Sequence, residues 1–336
     1  GYFSKLVTQK SNGSSDYSII FSITFNPASL IFRFLKLLVF LYKKKPDIII
    51  THNSTSSILP LFVSRLLNVK TIIYFNHGLP YVGYVGPIRF FLKTLEIINC
   101  IFPHSIITVS HDMKQKFINL TKKKVSIINN GSACGLVLNT KTKKLNTNSL
   151  EKLKERINFK TGDVIILFVG RPNKRKGFFD ILEIWDSFFK NKSNYKLILL
   201  GINPKDILNT KQRISENIFP LGLIDQPEPY FYLADYLFVT SHHEGLSYSV
   251  LEAFLNRTLV ISNKIDGVSE LVKNNYNGYL IEPNNKQEYL KKLKYSENNY
   301  KIKKQMLDRS LKITAKYDRK FFLQSYLTFL KKLDIE

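Results

Sequence analysis

The sequence predicts an α/β protein of two doubly wound, parallel-sheet domains, and three observations carry that prediction. Short continuous apolar runs such as Asp47-Ile-Ile-Ile-Thr51 alternate with longer helical stretches, the pattern of strands covered on both faces. The alternation breaks at a polar, aperiodic stretch, Asn139 to Asn148, and then restarts. Finally, 336 residues with 44% apolar content suit two domains of roughly 150 residues, each with a core of its own.

The elements follow in order. Tyr17 to Thr24 is β-like. Leu30 to Lys44 is helical with a basic end, and Asp47 to Thr51 is a short continuous apolar strand. Thr55 to Leu67 is a helix, Thr71 to Phe75 a strand, Arg89 to Phe102 a helix and Ser105 to Val109 a strand. Asp112 to Leu120 is helical, with Ser110 placed to cap it, and Val125 to Ile128 closes the series. After the linker come a strand at Val164 to Val169, a helix at Phe178 to Lys190 and a strand at Tyr195 to Leu200. Strands at Tyr236 to Thr240, Leu259 to Ser262 and Gly278 to Ile281 follow, with a helix through Leu251 to Leu255. The domains are expected at 1–145 and 146–315, with a C-terminal helix over 316–336 packing back on the first. Sheets of this kind bind ligands beyond the carboxyl ends of their strands, so the loops after the strands are expected to carry the chemistry.

The formal charge of +24 is unevenly spread: residues 1–125 hold sixteen Lys and Arg against four Asp and Glu. Nucleic acid and an anionic membrane surface are the two obvious partners for such a surface. Ile31 to Lys45 is too short and too charged to span a bilayer, which needs about 20 apolar residues. It reads as a buried helix with a basic end or as one that also touches lipid headgroups. Cys100 and Cys134 make no metal or redox spacing and suit a reducing compartment.

Three loops of the second half and one of the first stand out. Gly170-Arg-Pro-Asn-Lys-Arg-Lys-Gly177 follows a strand; Arg171 and Lys176 could clamp a diphosphate, or the loop could simply be a solvated basic one. Pro220-Leu221-Gly222 is a strand end with a glycine. Glu244 and Glu252 stand eight positions apart, the first followed by Gly245 in a loop and the second a turn or two into a helix. The helix N-terminal N–H groups between them would face an anion. On spacing alone, such carboxylates are more often surface charges. His77 follows a strand in Tyr74-Phe-Asn-His77-Gly78-Leu79.

In combination and order, these motifs resemble the retaining glycosyltransferases of family 4, whose fold is the two-domain GT-B architecture with a cleft between the domains. The Gly-Arg-x4-Lys-Gly pattern appears as Gly170-Arg171 and Lys176-Gly177. The Glu-x7-Glu signature appears as Glu244-Gly-Leu-Ser and Leu251-Glu-Ala253. The later turn appears as Asp266-Gly-Val-Ser-Glu270 and the ending as Asn277-Gly-Tyr-Leu280. The resemblance implies that Arg171 and Lys176 neutralise the donor diphosphate and that Glu244 takes the donor-sugar hydroxyls. Glu252 would hold the ribose, the backbone of Gly245, Leu246, Ser247 and Val250 would meet the phosphates, and Leu221 and Gly222 would flank the base. The His77 loop looks like that of capsule and O-antigen members and would act near the donor sugar and acceptor. His242 and His243 are expected to be structural or exposed.

The function so implied is transfer of a hexose or N-acetylhexosamine from a nucleotide-sugar, a UDP-sugar, to a lipid-linked saccharide. It implies no cofactor and no metal. The partner of the basic first half becomes the inner face of the cell membrane, with the protein peripheral and cytoplasmic and no nucleic acid expected. Ser247 and Asp266 stand where the family has Gly, and Asn256-Arg257 replaces the usual Gly-x, which puts loop geometry in question. The family's first strand and Gly-rich loop are absent or reduced to Gly1, leaving open an N-terminally truncated first domain. Two rivals remain: a nucleotide-sugar epimerase on the same fold, against which the acid-poor first half argues, and a non-catalytic basic binding protein.

Overall fold

The computed structural model describes residues 7–11, 14–18, 27–138, 147–210 and 215–335. The expected strand at 17–24 lies largely outside these residues, as do Gly1 and most of the expected linker. The chain divides into two units: residues 1–108, 114–127 and 331–336, and residues 109–113 and 128–330.

In the first unit, β1 (Val7–Ser11) and β2 (Ser14–Ser18) pair as an antiparallel hairpin. Then come α1 (Pro27–Lys44), β3 (Ile48–His52), α2 (Ser54–Leu66), β4 (Thr71–Asn76), α3 (Gly86–Ile101), β5 (Ser105–Thr108), α4 (His111–Ile118) and β6 (Lys124–Ile127). Strands β3 to β6 form one parallel sheet in sequence order, a single winding. Every residue of β4 and β5 is buried, which is why those segments read as unbroken apolar runs instead of alternating ones. Helix α1 begins with a proline, whose missing N–H is no loss there, and ends on Lys43 and Lys44, where cations suit the helix dipole. At the start of α4, Ser110 Oγ accepts from the Met113 N–H at 3.3 Å, the expected cap.

The second unit contains α5 (Thr147–Arg156), β7 (Val164–Val169), α6 (Phe178–Phe188), β8 (Tyr195–Leu200), α7 (Pro204–Leu208), β9 (Ile218–Gly222), α8 (Glu228–Leu233), β10 (Tyr236–Val239), α9 (Tyr248–Leu255), β11 (Leu259–Asn263) and β12 (Tyr279–Ile281). Helices α10 (Gln287–Asn298), α11 (Tyr300–Thr314) and α12 (Arg319–Ile335) follow. The sheet is parallel, in the order β12-β11-β10-β7-β8-β9. From β7 the chain winds outward through β8 and β9, then returns to place β10 on the other side of β7. The gap between β7 and β10 is therefore the point where the winding reverses. In open sheets of this kind, ligands bind beyond the strand ends at such a reversal.

The core on this sheet is aromatic. Trp185 stacks on Phe189 at a centroid distance of 5.1 Å, and Phe189 meets Tyr195 and Phe238. The buried indole N–H of Trp185 donates to Asn217 Oδ1 at 3.1 Å, so its polar atom is satisfied.

Candidate active site

Both loops at the reversal point carry motif residues. The β7 loop runs from Gly170 to Gly177, and the β10 loop from Thr240 to Ser247. Their backbones are tied together before any side chain meets. Gly177 has φ +69°, and a Cβ there would stand 2.0 Å from the Thr240 carbonyl oxygen, so no other residue fits. Thr240 Oγ1 donates to the Gly177 carbonyl at 2.8 Å, and the His242 N–H donates to the Arg175 carbonyl at 2.8 Å. Asn173 Oδ1 accepts from the Lys176 N–H at 3.0 Å and so shapes the turn that presents Lys174 to Lys176.

On this frame Lys176 Nζ reaches Glu244 Oε1 at 2.6 Å, and Ser241 Oγ donates to the same oxygen at 2.8 Å. Arg175 Nη1 stands 3.6 Å from Glu244 Oε2 and 3.4 Å from the His243 carbonyl. The Glu244 side chain is only 8% exposed, against 20% for Lys176 and 34% for Arg175. The carboxylate is thus largely buried, and the two cations that hold it are more exposed. Lys176 and Glu244 come together as the motif suggests. Arg171 stays exposed at the loop's start, and Arg175 takes the nearer place. Arg175 and Ser241 were missed in the sequence. Their one signal is proximity, one residue before Lys176 and three before Glu244.

Glu252 lies in the second turn of α9, and no hydrogen bond or ion pair holds its carboxylate among the described residues. Burial, with the charge of Glu228 on α8 added, pushes it up to about 7. Among the described residues, no side chain caps the first turn of α9, so its N–H groups keep no side-chain partner there. The side chains of Leu246, Ser247 and Val250 are buried, so any ligand contact from them is through the main chain.

Ser247 is in ordinary extended backbone (φ −84°, ψ 102°), so a serine in place of glycine is unstrained. In the Asp266–Glu270 turn, the left-handed residue is Gly267 (φ +73°). A Cβ on Gly267 would meet the Gly245 carbonyl at 2.5 Å, so the turn packs directly on the Glu244–Gly245 backbone. Neither Ser247 nor Asp266 stands in left-handed backbone, so neither position requires glycine. At the end of β9, the Gly222 N–H donates to the Ile202 carbonyl at 2.7 Å. Leu221 beside it is half-buried.

Tyr248 is the first residue of α9, a role with no local signal in the sequence. Its hydroxyl accepts the N–H groups of Ala133 and Cys134 at 2.8 and 2.9 Å and contacts Ser132 Oγ. It thereby anchors the 132–134 segment. His242 is exposed and bonded to Asp180 at 2.9 Å, and His243 is buried, neither pointing to chemistry.

In the first unit, His77 follows β4 and His52 ends β3. His52 Nδ1 and His77 Nε2 are 2.8 Å apart, and their rings stack at 5.1 Å. Burial, helped by the neighbouring His52, lowers His77 to about 4, so the pair is neutral near pH 7 and shares one ring proton across that bond.

Residues 149–312 match the family model described as Glycosyl transferases group 1, and residues 2–132 match Glycosyltransferase Family 4. The chain belongs to glycosyltransferase family 4, with the GT-B fold. Among curated relatives, the transferase is 24% identical over 74% of its length to the capsular polysaccharide biosynthesis glycosyltransferase CapM of Staphylococcus aureus. It is 25% identical over 74% of its length to an Escherichia coli UDP-Gal:α-D-GlcNAc-diphosphoundecaprenol α-1,3-galactosyltransferase. The matched portions are 66% and 67% of those relatives, so the chain spans about two thirds of their length. Among solved structures, Anabaena HepE in complex with UDP-glucose superposes with a TM-score of 0.73 at 17% identity, covering 91% of this chain and 84% of that one. A Rickettsia africae glycosyltransferase gives 0.70 at 18% identity, covering 94% and 84%.

Proposed function

We propose that this glycosyltransferase moves a hexose or N-acetylhexosamine from a UDP-sugar to a lipid-linked saccharide, with retention at the anomeric carbon, in surface polysaccharide assembly. The observation that carries this reading is the cluster of Lys176, Arg175 and Glu244 at the winding reversal of the second unit. Four cations in the Arg171–Lys176 stretch stand against one carboxylate, so the loop keeps a surplus of positive charge for a diphosphate. As the glycosidic bond breaks, charge grows on the leaving diphosphate. Lys176, Arg175 and the open N-terminus of α9 would stabilise it without reorganisation, in the place a metal ion could otherwise take. Glu244 would accept hydrogen bonds from the sugar, and Glu252 from the ribose. With no separate general base assigned, the leaving diphosphate would take the acceptor's proton on the same face. His77, neutral near pH 7, is read as a further working group of the reaction.

The lipid part of the proposal rests on the relatives' names and on α1 and α3. These helices flank α2, with Phe34, Phe62 and Phe102 in successive ring contact. Outward they present Ile31, Phe32, Leu35, Ile88, Phe90 and Phe91, all more than half exposed, beside Arg33, Lys36, Arg89 and Lys93. No helix among the described residues is long and apolar enough to cross a membrane. Apolar side chains among cations suit an anionic lipid surface, here read as the cytoplasmic face of the cell membrane.

A thermal-shift screen of UDP- and GDP-sugars tests the donor. A ligand at a hundred times its Kd stabilises the fold by about 2.7 kcal/mol, and UDP-sugars are expected to give the shift. Product analysis with a polyprenyl-diphosphate-linked acceptor, with and without EDTA, then tests transfer. A β-linked product from an α-linked donor, or loss of activity in EDTA, would overturn the mechanism.

A further inference from the structure

Beneath the His77 loop lies a cluster of buried polar side chains that the transfer reaction does not use. Glu96 on α3, Tyr74 and Asn76 on β4, and Asn99 on α3 are at most 1% exposed, and Ser54 at the start of α2 is 8% exposed. Tyr74 Oη donates to Glu96 Oε1 at 2.6 Å. The Asn76 amide nitrogen lies 2.5 Å from Tyr74 Oη, 3.1 Å from Ser54 Oγ and 3.2 Å from Glu96 Oε1. Three acceptors around that nitrogen fix the amide's orientation and turn its oxygen the other way. There Asn76 Oδ1 accepts the Gly78 N–H at 2.8 Å, while Ser54 Oγ reaches the Gly78 carbonyl at 3.4 Å. Asn99 Nδ2 holds the Ser54 carbonyl at 2.7 Å. Both main-chain handles of Gly78 are thus gripped from below, and His77 sits between Asn76 and Gly78.

An apolar residue at 96 would serve a core better. The second oxygen of Glu96 has no partner among the described residues, and a buried unsatisfied group costs about 1–3 kcal/mol. Burial raises the Glu96 carboxyl, so it is held towards its neutral form. What the polar cluster supplies in return is a single geometry for the loop backbone.

We propose that Glu96 and Asn76 are positioning residues that act through the Gly78 backbone to hold His77 against His52. The inference rests on the reading of His77 as a working group of the transferase. Its first readout needs no transfer: side-chain 1H–15N spectra of 15N-histidine-labelled protein, titrated across pH. Among the described residues His52, from β3, is the titratable group in contact with His77, whereas Glu96 and Tyr74 act through the loop. In Asn76→Ala and Glu96→Leu, the His77 titration is expected to rise from about 4 by at least about one pH unit, with its neutral tautomers averaging. Glu96→Gln, which keeps an acceptor for Tyr74 and Asn76, should restore the wild-type spectrum. His104, whose Nδ1 accepts the Ile72 N–H at 2.9 Å in the same sheet, serves as the folding control. If Asn76→Ala fails to fold, Ser54→Ala replaces it and should give a smaller shift of the same sign. An unmoved His77 titration in folded Glu96→Leu and Asn76→Ala or Ser54→Ala overturns the proposal. With transfer assayed, kcat should fall about 10- to 100-fold in Glu96→Leu with donor KM unchanged. A wild-type protein that transfers nothing would sink the transferase reading, yet leave the histidine result standing.

Discussion

At the scale of single residues, the two glutamates of the Glu-x7-Glu signature are different chemical objects. Glu244 is fixed by Lys176, Arg175 and Ser241, whereas Glu252 has no partner among the described residues and is pushed up to about 7 by burial. Glu244→Gln keeps the volume and an acceptor for Ser241 but removes the charge. Transfer is expected to fall on the order of 10²-fold or more, with donor-induced stabilisation reduced and the melting temperature little changed. Glu252 yields a pH prediction. The folded protein keeps this carboxyl protonated up to about pH 7, whereas the unfolded chain releases the proton near 4.5. Folding stability therefore declines as pH rises through that window, by on the order of 2 kcal/mol after allowance for partial exposure. Urea melts at pH 5 and pH 8 should show this decline in the wild type and a flatter response in Glu252→Gln. Equal slopes in the two proteins would refute it. The chemical identity of Glu252 is legible in the sequence, but its missing partner and the charge of Glu228 beside it are not.

At the scale of elements, most strands and helices were legible because each carries a local signal. β8 is found at Tyr195–Leu200 as expected, and β4 and α1 within a few residues. Fully buried strands leave continuous apolar runs, and helices leave a 3.6-residue period. The sequence signals helix α9 only from Leu251, since Tyr248 and Ser249 give no helical signal. Its true start puts the Tyr248 hydroxyl against the N–H groups of residues 133 and 134. The junction of the β7 and β10 loops is the element most exposed to test. Gly177→Ala adds a methyl group where the Thr240 carbonyl already stands and imposes strain at φ +69°. A loss of about 2–4 kcal/mol is expected in chemical denaturation. At Gly78, by contrast, a Cβ would meet nothing within 4 Å, so Gly78→Ala should cost under about 1 kcal/mol.

At the scale of the whole molecule, charge and apolar exposure meet on one unit. If the surface of α1 and α3 docks on lipid, Lys43/Lys44/Lys45→Glu should abolish flotation with vesicles containing anionic lipid at low salt. Wild-type binding should weaken steeply as salt rises. Flotation of the variant equal to wild type would remove the membrane from the proposal and leave the donor chemistry untouched.

The amino-acid sequence by itself determined the α/β class, the order of elements and the family, because strand burial, helical periodicity and loop motifs are all written in local spacing. It also singles out Lys176 and Glu244, which the fold brings to 2.6 Å of each other. Only the tertiary structure decided that Arg175, not Arg171, stands beside Glu244, that burial raises the Glu252 carboxyl, and that Glu96 lies buried beneath the His77 loop. The reason is physical. A carboxyl's state and a cation's reach depend on which neighbours the fold brings within a few ångströms and how much water it removes, and neither is encoded in the spacing along the chain.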